Sequence, residues 1–300
     1  MTQVSTPGDE ALKALHIACQ KVGIDASSAE PIRLSENAIY RLPHRIVARV
    51  SRVGQIQAAA KEVHIARWLE ASGMPAVQVI PSLDQPVEAD GRAVTFWREL
   101  PAHEYGTSLN VATALRVLHR LTPPVHFELP PLAPFVRLAE RIDHAHMFTP
   151  EDRKWLRKHL SDLKSRYAEL PPGLHSCVVH GDAWVGNVLL ASNGRVILAD
   201  FERTAFGPPE WDLVSTAIKY GTLGGISKDE YTAFVETYGH DVMSWAGFPI
   251  LRDIRELRMV TMAAQIGMED ATIRSEAIAR LAAIRGESGP RPWKHWRPLS

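Results

Sequence analysis

The chain has 300 residues, of which 45% are hydrophobic, enough to bury a sizeable core in one large or two smaller domains. Thirty-four Lys and Arg balance 34 Asp and Glu, so there is no electrostatic case for a nucleic-acid or anionic-membrane partner. Met1 to Glu10 lack a basic start and an apolar h-region, and no apolar run approaches the ~18 residues of a membrane span. A soluble, cytoplasmic protein is therefore expected. Cys19 and Cys177 are the two cysteines, far apart and in apolar company, which suits buried small hydrophobes better than a disulfide.

In chain order, apolar residues at Leu12, Leu15, Ile17 and Cys19 predict a helix over Glu10 to Val22, stopped by Gly23. Three short β-rich runs follow at Ile32 to Leu34, Ala38 to Leu42 and Ile46 to Val50, the last two joined by Pro43-His44 as in an antiparallel meander. Gln55 to Ala71 reads as a helix with Ala58, Val63, Ala66, Trp68 and Leu69 on its apolar face. Two more strands are expected near Val77 to Ile80 and Ala93 to Trp97. Beyond Gly106 the pattern turns helical, with amphipathic stretches at Leu109 to Leu121, Pro150 to Leu170, Pro209 to Tyr220, Lys228 to Tyr238 and Leu251 to Met268. The Pro-Pro pairs at 123, 130 and 171 read as helix punctuation. Trp293 and Trp296 in the tail either pack or lie in a partly loose segment. The expected organisation is α+β and two-lobed, with an antiparallel-sheet lobe over 1–100 and a larger, mostly helical lobe over 101–300, the boundary near Leu100-Pro101.

One stretch interrupts the helices. His180-Gly-Asp-Ala-Trp-Val-Gly-Asn187 sets Asp182 and Asn187 five positions apart, and Asp200 follows thirteen residues after Asn187. Between them, apolar runs flank Ser192-Asn193-Gly194, and Asn-Gly in that setting signals a tight hairpin. Such a hairpin folds Asp200 back beside Asn187. A carboxylate and an amide oxygen form a hard donor pair of the kind Mg²⁺ takes together with waters and phosphate oxygens. Asp182 is left to accept or orient a hydroxyl proton, and those are the needs of phosphoryl transfer to an alcohol. In this reading His180 is structural, its ring bonding to nearby backbone, and Gly181 and Gly186 permit sharp bends. Any single Asp or Asn here is equally at home in an ordinary turn; the combination is what carries the chemistry.

The pattern His-Gly-Asp-x-x-x-x-Asn followed by a strand ending in Asp resembles the aminoglycoside phosphotransferase family, related to choline kinase and other small-molecule kinases. Gly207-Pro-Pro-Glu-Trp-Asp-Leu213, Leu118-His-Arg-Leu121 and Arg255-Glu-Leu-Arg258 are similar to further family segments, so the likeness spans most of the chain. It implies a protein-kinase-like fold, ATP or GTP as phosphoryl donor, Mg²⁺, and a small hydroxylated acceptor, whether an aminoglycoside, another antibiotic, an amino alcohol or a sugar. It also implies residue roles. Asp182 is the catalytic acid-base, Asn187 and Asp200 are the metal ligands, and the loop at Ser35 to Asn37 covers the phosphates through backbone amides and the Ser35 hydroxyl. Arg49 on the third strand steadies the phosphates in company with Glu62, although lysine is usual there and the loop lacks the usual glycine. Adenine is expected against the backbone at Glu99 and Leu100. Trp97 either lines that pocket or joins the core, and Lys61 is expected in solvent.

Three assignments stay open. Glu202 is either a metal neighbour or a partner of Arg203, and Asp212 is expected to brace the catalytic loop. Glu210, Asp253, Glu256, Glu269 and Asp270 are the acids available to meet a cationic acceptor. Two rivals compete with the kinase reading: a kinase-like protein that binds nucleotide without turnover, and a metal-dependent hydrolase using His180, Asp182 and Asp200. The second is weakened because no further His or carboxylate cluster is present. His144 and His146 are expected on different sides of one helix.

Overall fold

The computed structural model describes residues 7–35, 37–294 and 296. In chain order the principal elements are α1 Pro7–Val22, β1 Glu30–Leu34, β2 Ala38–Leu42, β3 Ile46–Val53, α2 Ile56–Ala71, β4 Val87–Ala89, β5 Arg92–Arg98, β6 His103–Tyr105, α3 Ser108–Leu118, α4 Leu138–His144, α5 Pro150–Ala168, β7 Cys177–Val179, β8 Val188–Ala191, β9 Val196–Leu198, β10 Ala205–Gly207, α6 Glu210–Gly221, α7 Lys228–Tyr238, α8 Phe248–Ile266 and α9 Ala271–Ile284. The fold is the expected α+β, kinase-like arrangement, with antiparallel sheet in the N-terminal region and mostly helix beyond it. All three Pro-Pro pairs fall outside the helices.

The chain divides into two compact units. The first comprises 1–110, 124–128 and 185–204, so the hairpin of β8 and β9 groups with the β-rich N-terminal residues; the second comprises 111–123, 129–184 and 205–300.

In the first unit a five-stranded sheet has the order β1-β2-β3-β5-β4, each neighbouring pair antiparallel. Side chains alternate faces along a strand. On one face Ala48, Val50, Val94 and Phe96 join Tyr40 and Leu42 in a core completed by Ala11, Ala14, Leu15, Ala18 and Cys19 of α1. The intervening residues Arg49, Ser51, Ala93 and Thr95 must therefore occupy the other face, with Arg49 directly opposite Thr95 in the β3–β5 register. The helix α2 buries Ala59, Glu62, Val63, Ile65, Ala66 and Leu69, a helical stripe in which Glu62 is the charged member.

The expected strand at Val77 to Ile80 does not form; this segment makes only isolated bridges, Ala76 to Leu198 and Val79 to Trp97. Its backbone still bonds to β5, Ile80 N–H donating to Phe96 O at 2.9 Å and Arg98 N–H to Gln78 O at 2.8 Å; beyond Ile80 the Gln85 amide takes the next place, its oxygen accepting from Phe96 N–H at 2.7 Å and its nitrogen donating to the carbonyls of Ile80 and Phe96. Pairing on that edge passes instead to β4, a strand the sequence pattern did not reveal.

The hairpin forms as expected. β8 and β9 pair antiparallel with Val188 opposite Leu198, and β6 adds on the far side of β8. At the turn, Gly194 has φ +79° and donates its N–H to Ala191 O at 2.8 Å, while Asn193 Oδ1 accepts from Arg195 N–H.

In the second unit α8 is the central helix. It packs against α4, α5, α6 and α9 and buries residues around much of its circumference, including Leu251, Ile254, Arg255, Glu256, Leu257 and Val260. The short ribbon of β7 and β10 sets Val179 opposite Ala205 and delivers the chain directly to His180. Trp293 and Trp296 are buried and stacked, with centroids 5.1 Å apart, so that much of the tail is packed; His295 and residues 297–300 lie outside the described residues. α9 was not anticipated from the pattern, whereas α4 answers to the helix expected at His144. α4 ends at His144, so His146 lies beyond the helix and not on another side of it.

A Cβ at Gly194 would meet no atom within 4 Å, so only the left-handed backbone penalises a side chain there. Gly194→Ala should lower the unfolding free energy by about 1 kcal/mol in urea denaturation. An unchanged midpoint would show that the turn does not depend on this conformation.

Candidate active site

The loop from His180 to Asp182, in the second unit, is held by α6 and α8 through the N–H groups of His180 and Gly181 and the Gly181 carbonyl. Asp212, in the first turn of α6, is completely buried. Its Oδ2 accepts from His180 N–H at 2.6 Å and its Oδ1 from Gly181 N–H at 2.8 Å. His119 lies just past α3, with Nε2 3.0 Å from Asp212 Oδ2 and Nδ1 2.8 Å from the Tyr238 hydroxyl. A carboxylate only accepts, so Nε2 carries the proton and donates to Asp212. Burial alone pushes the Asp212 carboxyl up. The His119 hydrogen bond, the charges of His119 and His180, and the His180 N–H together outweigh it and hold the carboxyl below its ordinary value.

The other side of the loop is met from the protein interior. The Gly181 carbonyl accepts from the Trp211 indole N–H at 2.9 Å, and Asp182 N–H donates to His180 Nδ1 at 3.3 Å, the structural role expected of that ring. Gly181 sits at φ +83°, a left-handed turn that glycine adopts without steric penalty. The loop backbone is thus fixed while the Asp182 side chain stays 48% exposed.

The remaining candidates lie in the first unit. The hairpin register returns the chain so that Ala199 N–H donates to Asn187 O at 3.0 Å, which brings Asn187 and Asp200 together at the open end of the hairpin. Asn187 is buried, and Asp200 is exposed with φ +64°, a left-handed conformation that Asp tolerates better than most residues.

Arg49 and Glu62 meet as expected: Nη1 donates to both carboxylate oxygens at 2.8 Å. Asn37 joins them, its amide oxygen turned to accept from Arg49 Nε at 3.3 Å and Nη2 at 2.9 Å. Burial pushes the Glu62 carboxyl up and Arg49 pulls it down. The charges of Asp200 and Glu202 add to the upward side, which prevails. Arg49 in turn is driven down by burial but is held above its ordinary value by Glu62, Asp200 and Glu202. Three carboxylates thus act on one guanidinium, an excess of negative charge that favours a further cation. Asn37, Arg49, Ser51, Glu62, Thr95 and Glu202 line a common pocket.

Ser35 is exposed at the end of β1, and Glu36 lies outside the described residues. Glu99 is engaged at both ends, its N–H donating to Arg45 O and its carboxylate pairing with Arg41. Leu100 packs beside Leu189, Ala191 and Ile197. Trp97 is core, buried with its indole N–H on Thr95 Oγ1.

Lys61 corrects the expectation of a solvated side chain. It is partly buried, and its ammonium donates to the carbonyls of Glu202 at 2.7 Å and Thr204 at 3.1 Å. It therefore ties α2 to the segment after Asp200. Glu202 itself lies 3.9 Å from Arg203, as one of its two readings expected.

Four of the five acids named for a cationic acceptor are occupied internally. Glu210 is buried and accepts from Leu174 N–H, Asp253 pairs with Arg166 and Arg252, Glu256 accepts from Thr222 and Arg291, and Asp270 caps α9. Glu269 is exposed. Cys19 and Cys177 are free thiols pushed up by burial to about 11 and about 12. No cluster of three or more His, Cys, Asp or Glu arranged for a metal occurs among the described residues, and none of their helices is long and apolar enough to cross a membrane.

The brace at Asp212 has a measurable pH signature. Asp212→Asn sets an amide N–H₂ against backbone donors and should cost about 3 kcal/mol of stability at neutral pH. A carboxyl lowered by folding contributes its full stabilisation above its unfolded value near ~4 and loses it as pH falls further. The gap between wild type and Asp212→Asn in denaturant unfolding should therefore be constant above pH ~5 and shrink below pH ~4. A gap that stays flat into acid contradicts the role given to the charge.

No curated protein sequence matches the chain significantly. Many solved structures are similar in fold, three of them as follows. Amicoumacin kinase hAmiN, in complex with AMP-PNP, Ca²⁺ and Ami, superposes with a TM-score of 0.71 at 13% identity, covering 97% of this chain and 99% of that one. Choline kinase LicA from Streptococcus pneumoniae gives 0.61 at 18% identity, covering 90% and 99%. Aminoglycoside phosphotransferase APH(3'')-Id from Streptomyces rimosus ATCC10970 gives 0.58 at 22% identity, covering 80% and 98%. The profile of the phosphotransferase enzyme family matches residues 28–249, a span that holds the His180–Asp182 loop, the Asn187–Asp200 hairpin and the Asp212 brace. The chain belongs to the phosphotransferase enzyme family and is a small-molecule phosphotransferase.

Proposed function

We propose that the protein moves the γ-phosphoryl group of ATP or GTP to a hydroxyl of a small molecule, with Asp182 receiving the hydroxyl proton. The observation that carries this reading is the contrast at the catalytic loop. The backbone of 180–182 is locked by Asp212 and Trp211, yet the Asp182 carboxylate remains 48% exposed. A carboxylate held rigidly but left open to a ligand is what positioning of an acceptor hydroxyl requires. As the hydroxyl oxygen bonds to phosphorus, its proton passes to Asp182 and the nucleoside diphosphate leaves. Strong basicity is not needed, because the transition state is loose.

Residues 1–100 supply the nucleotide end and 101–300 the acceptor. The Ser35–Asn37 loop and Arg49 meet the phosphates, and Glu62 and Asn37 hold the Arg49 fork in place. The backbone at Glu99 and Leu100 receives the base. Asn187 and Asp200 are the hard oxygen donors for Mg²⁺, and the surplus of carboxylate over cation around Glu62, Asp200 and Glu202 suits a divalent ion. Bound there, the ion would offset phosphate charge.

For the acceptor, the internal pairing of Glu210, Asp253, Glu256 and Asp270 favours a neutral or singly charged hydroxylated compound over a polycation. An amino alcohol, a sugar or a weakly charged antibiotic fits that description, and the last would make the protein a resistance factor. A cytoplasmic setting, where the nucleotide donor resides, belongs to the same reading.

Nucleotide turnover over a panel of hydroxylated compounds tests it. Asp182→Ala should lower kcat by about 10²-fold or more while Mg·ATP still raises the melting temperature. Nucleotide binding with no turnover on any acceptor would instead favour a binding protein. Chelation with EDTA should remove most of the ATP-induced thermal shift, and Asp200→Asn should do the same without chelator; a shift that survives both contradicts the metal assignment.

A further inference from the structure

Arg255 was noted in the sequence only as part of Arg255-Glu-Leu-Arg258. In the second unit it is a buried cation, 7% exposed, in the middle of α8. Burying a guanidinium is costly unless it is well partnered, and its contacts converge on one place. Its guanidinium carbon lies 4.0 Å from the centroid of the Trp211 ring. Nη2 donates to Trp211 O at 2.9 Å and approaches Gly181 O at 3.4 Å. Nη1 stands 3.7 Å from Asp182 Oδ1.

The last distance matters. It is close enough for a strong attraction in a partly buried setting, yet longer than a hydrogen bond. An arginine at 2.8 Å would compete with an incoming hydroxyl for that oxygen. At 3.7 Å it attracts the carboxylate and biases its rotamer. The planar fork is needed to stack on Trp211, reach two carbonyls and face the carboxylate at once, which an ammonium cannot do.

The rotation of α8 that aims Arg255 is itself fixed by the next residue. Glu256 is 1% exposed and accepts from Thr222 Oγ1 and bidentately from Arg291. Trp293 N–H, two residues beyond Arg291, donates to Thr222 O. The tail therefore clamps α8 at the position adjacent to Arg255.

We propose that Arg255 is a positioning residue for phosphoryl transfer, orienting the Asp182 carboxylate toward the acceptor hydroxyl from a stack on Trp211. The inference rests on the reading of Asp182 as the group that receives the hydroxyl proton.

Steady-state kinetics of Arg255→Met, Arg255→Lys, Asp182→Asn and the double variant Asp182→Asn/Arg255→Met test it. Arg255→Met should lower kcat about 30-fold, with KM for ATP within about twofold of wild type. Arg255→Lys should recover part of that loss and remain at least about fivefold below wild type. In the Asp182→Asn background the Met substitution should change residual turnover by less than about twofold, because a residue acting through Asp182 has nothing left to orient. A folded Arg255→Met enzyme within about threefold of wild-type kcat overturns the proposal. If the Met variant does not fold, Arg255→Lys decides, and wild-type kcat in that variant overturns it equally. Full activity in Asp182→Asn would sink the reading of Asp182 itself; a dead Asp182→Asn beside an unimpaired Arg255→Met sinks only the role of Arg255.

Discussion

A single buried carboxylate organises the catalytic loop. Asp212 accepts the N–H groups of His180 and Gly181 and the imidazole N–H of His119. In the protein interior, removing this charge from water is expensive unless its lone pairs are filled. Here they are filled by two loop N–H groups and the His119 imidazole. The same contacts answer the loop's own requirement, since buried backbone N–H groups must find acceptors. Loop and helix are consequently interdependent.

From that anchor the arrangement extends outward in shells of decreasing burial. Asp212 and His180 are completely buried, Arg255 is nearly so, and Asp182 is half exposed. Apolar packing supports the inner members, while the outermost faces solvent. Trp211 links the layers. Its indole donates to Gly181 O and its face carries the Arg255 guanidinium, a use of both the polar edge and the electron-rich face of one side chain.

The first unit solves a different problem with the same economy of elements. Strand alternation places Arg49 on the face away from the α1 core, and the helical repeat of α2 brings Glu62 to meet it. Lysine 61, one residue earlier, turns to the carbonyls of Glu202 and Thr204. Neighbouring residues of one helix thus hold the cation on β3 and the chain that follows Asp200. Because Glu62, Asp200 and Glu202 act on the same guanidinium, a change in charge at any one of them is felt by the others.

Much of this was legible in the amino-acid string, for local reasons. The Asn193-Gly194 turn and its flanking apolar runs dictate a hairpin, and a hairpin of that register must bring Asn187 next to Asp200. Period-two and helical patterns were enough for β2, β3, β5 and for α2, α5 and α7. The strand expected at Val77 to Ile80 is reduced to isolated bridges, with the Gln85 side chain taking the next place on the β5 edge, a choice no local pattern records. Lys61 reads as an exposed charge until the chain after Asp200 is folded against it. Arg255 is the clearest case: within its own sequence it is one arginine among several on an amphipathic helix. Its contacts are with Trp211, Gly181 and Asp182, 44 to 74 positions away. The sequence by itself determined the family and the hairpin, since each rests on short-range spacing. Only the tertiary structure decided which charges are buried together, because burial and pairing are properties of segments remote along the chain.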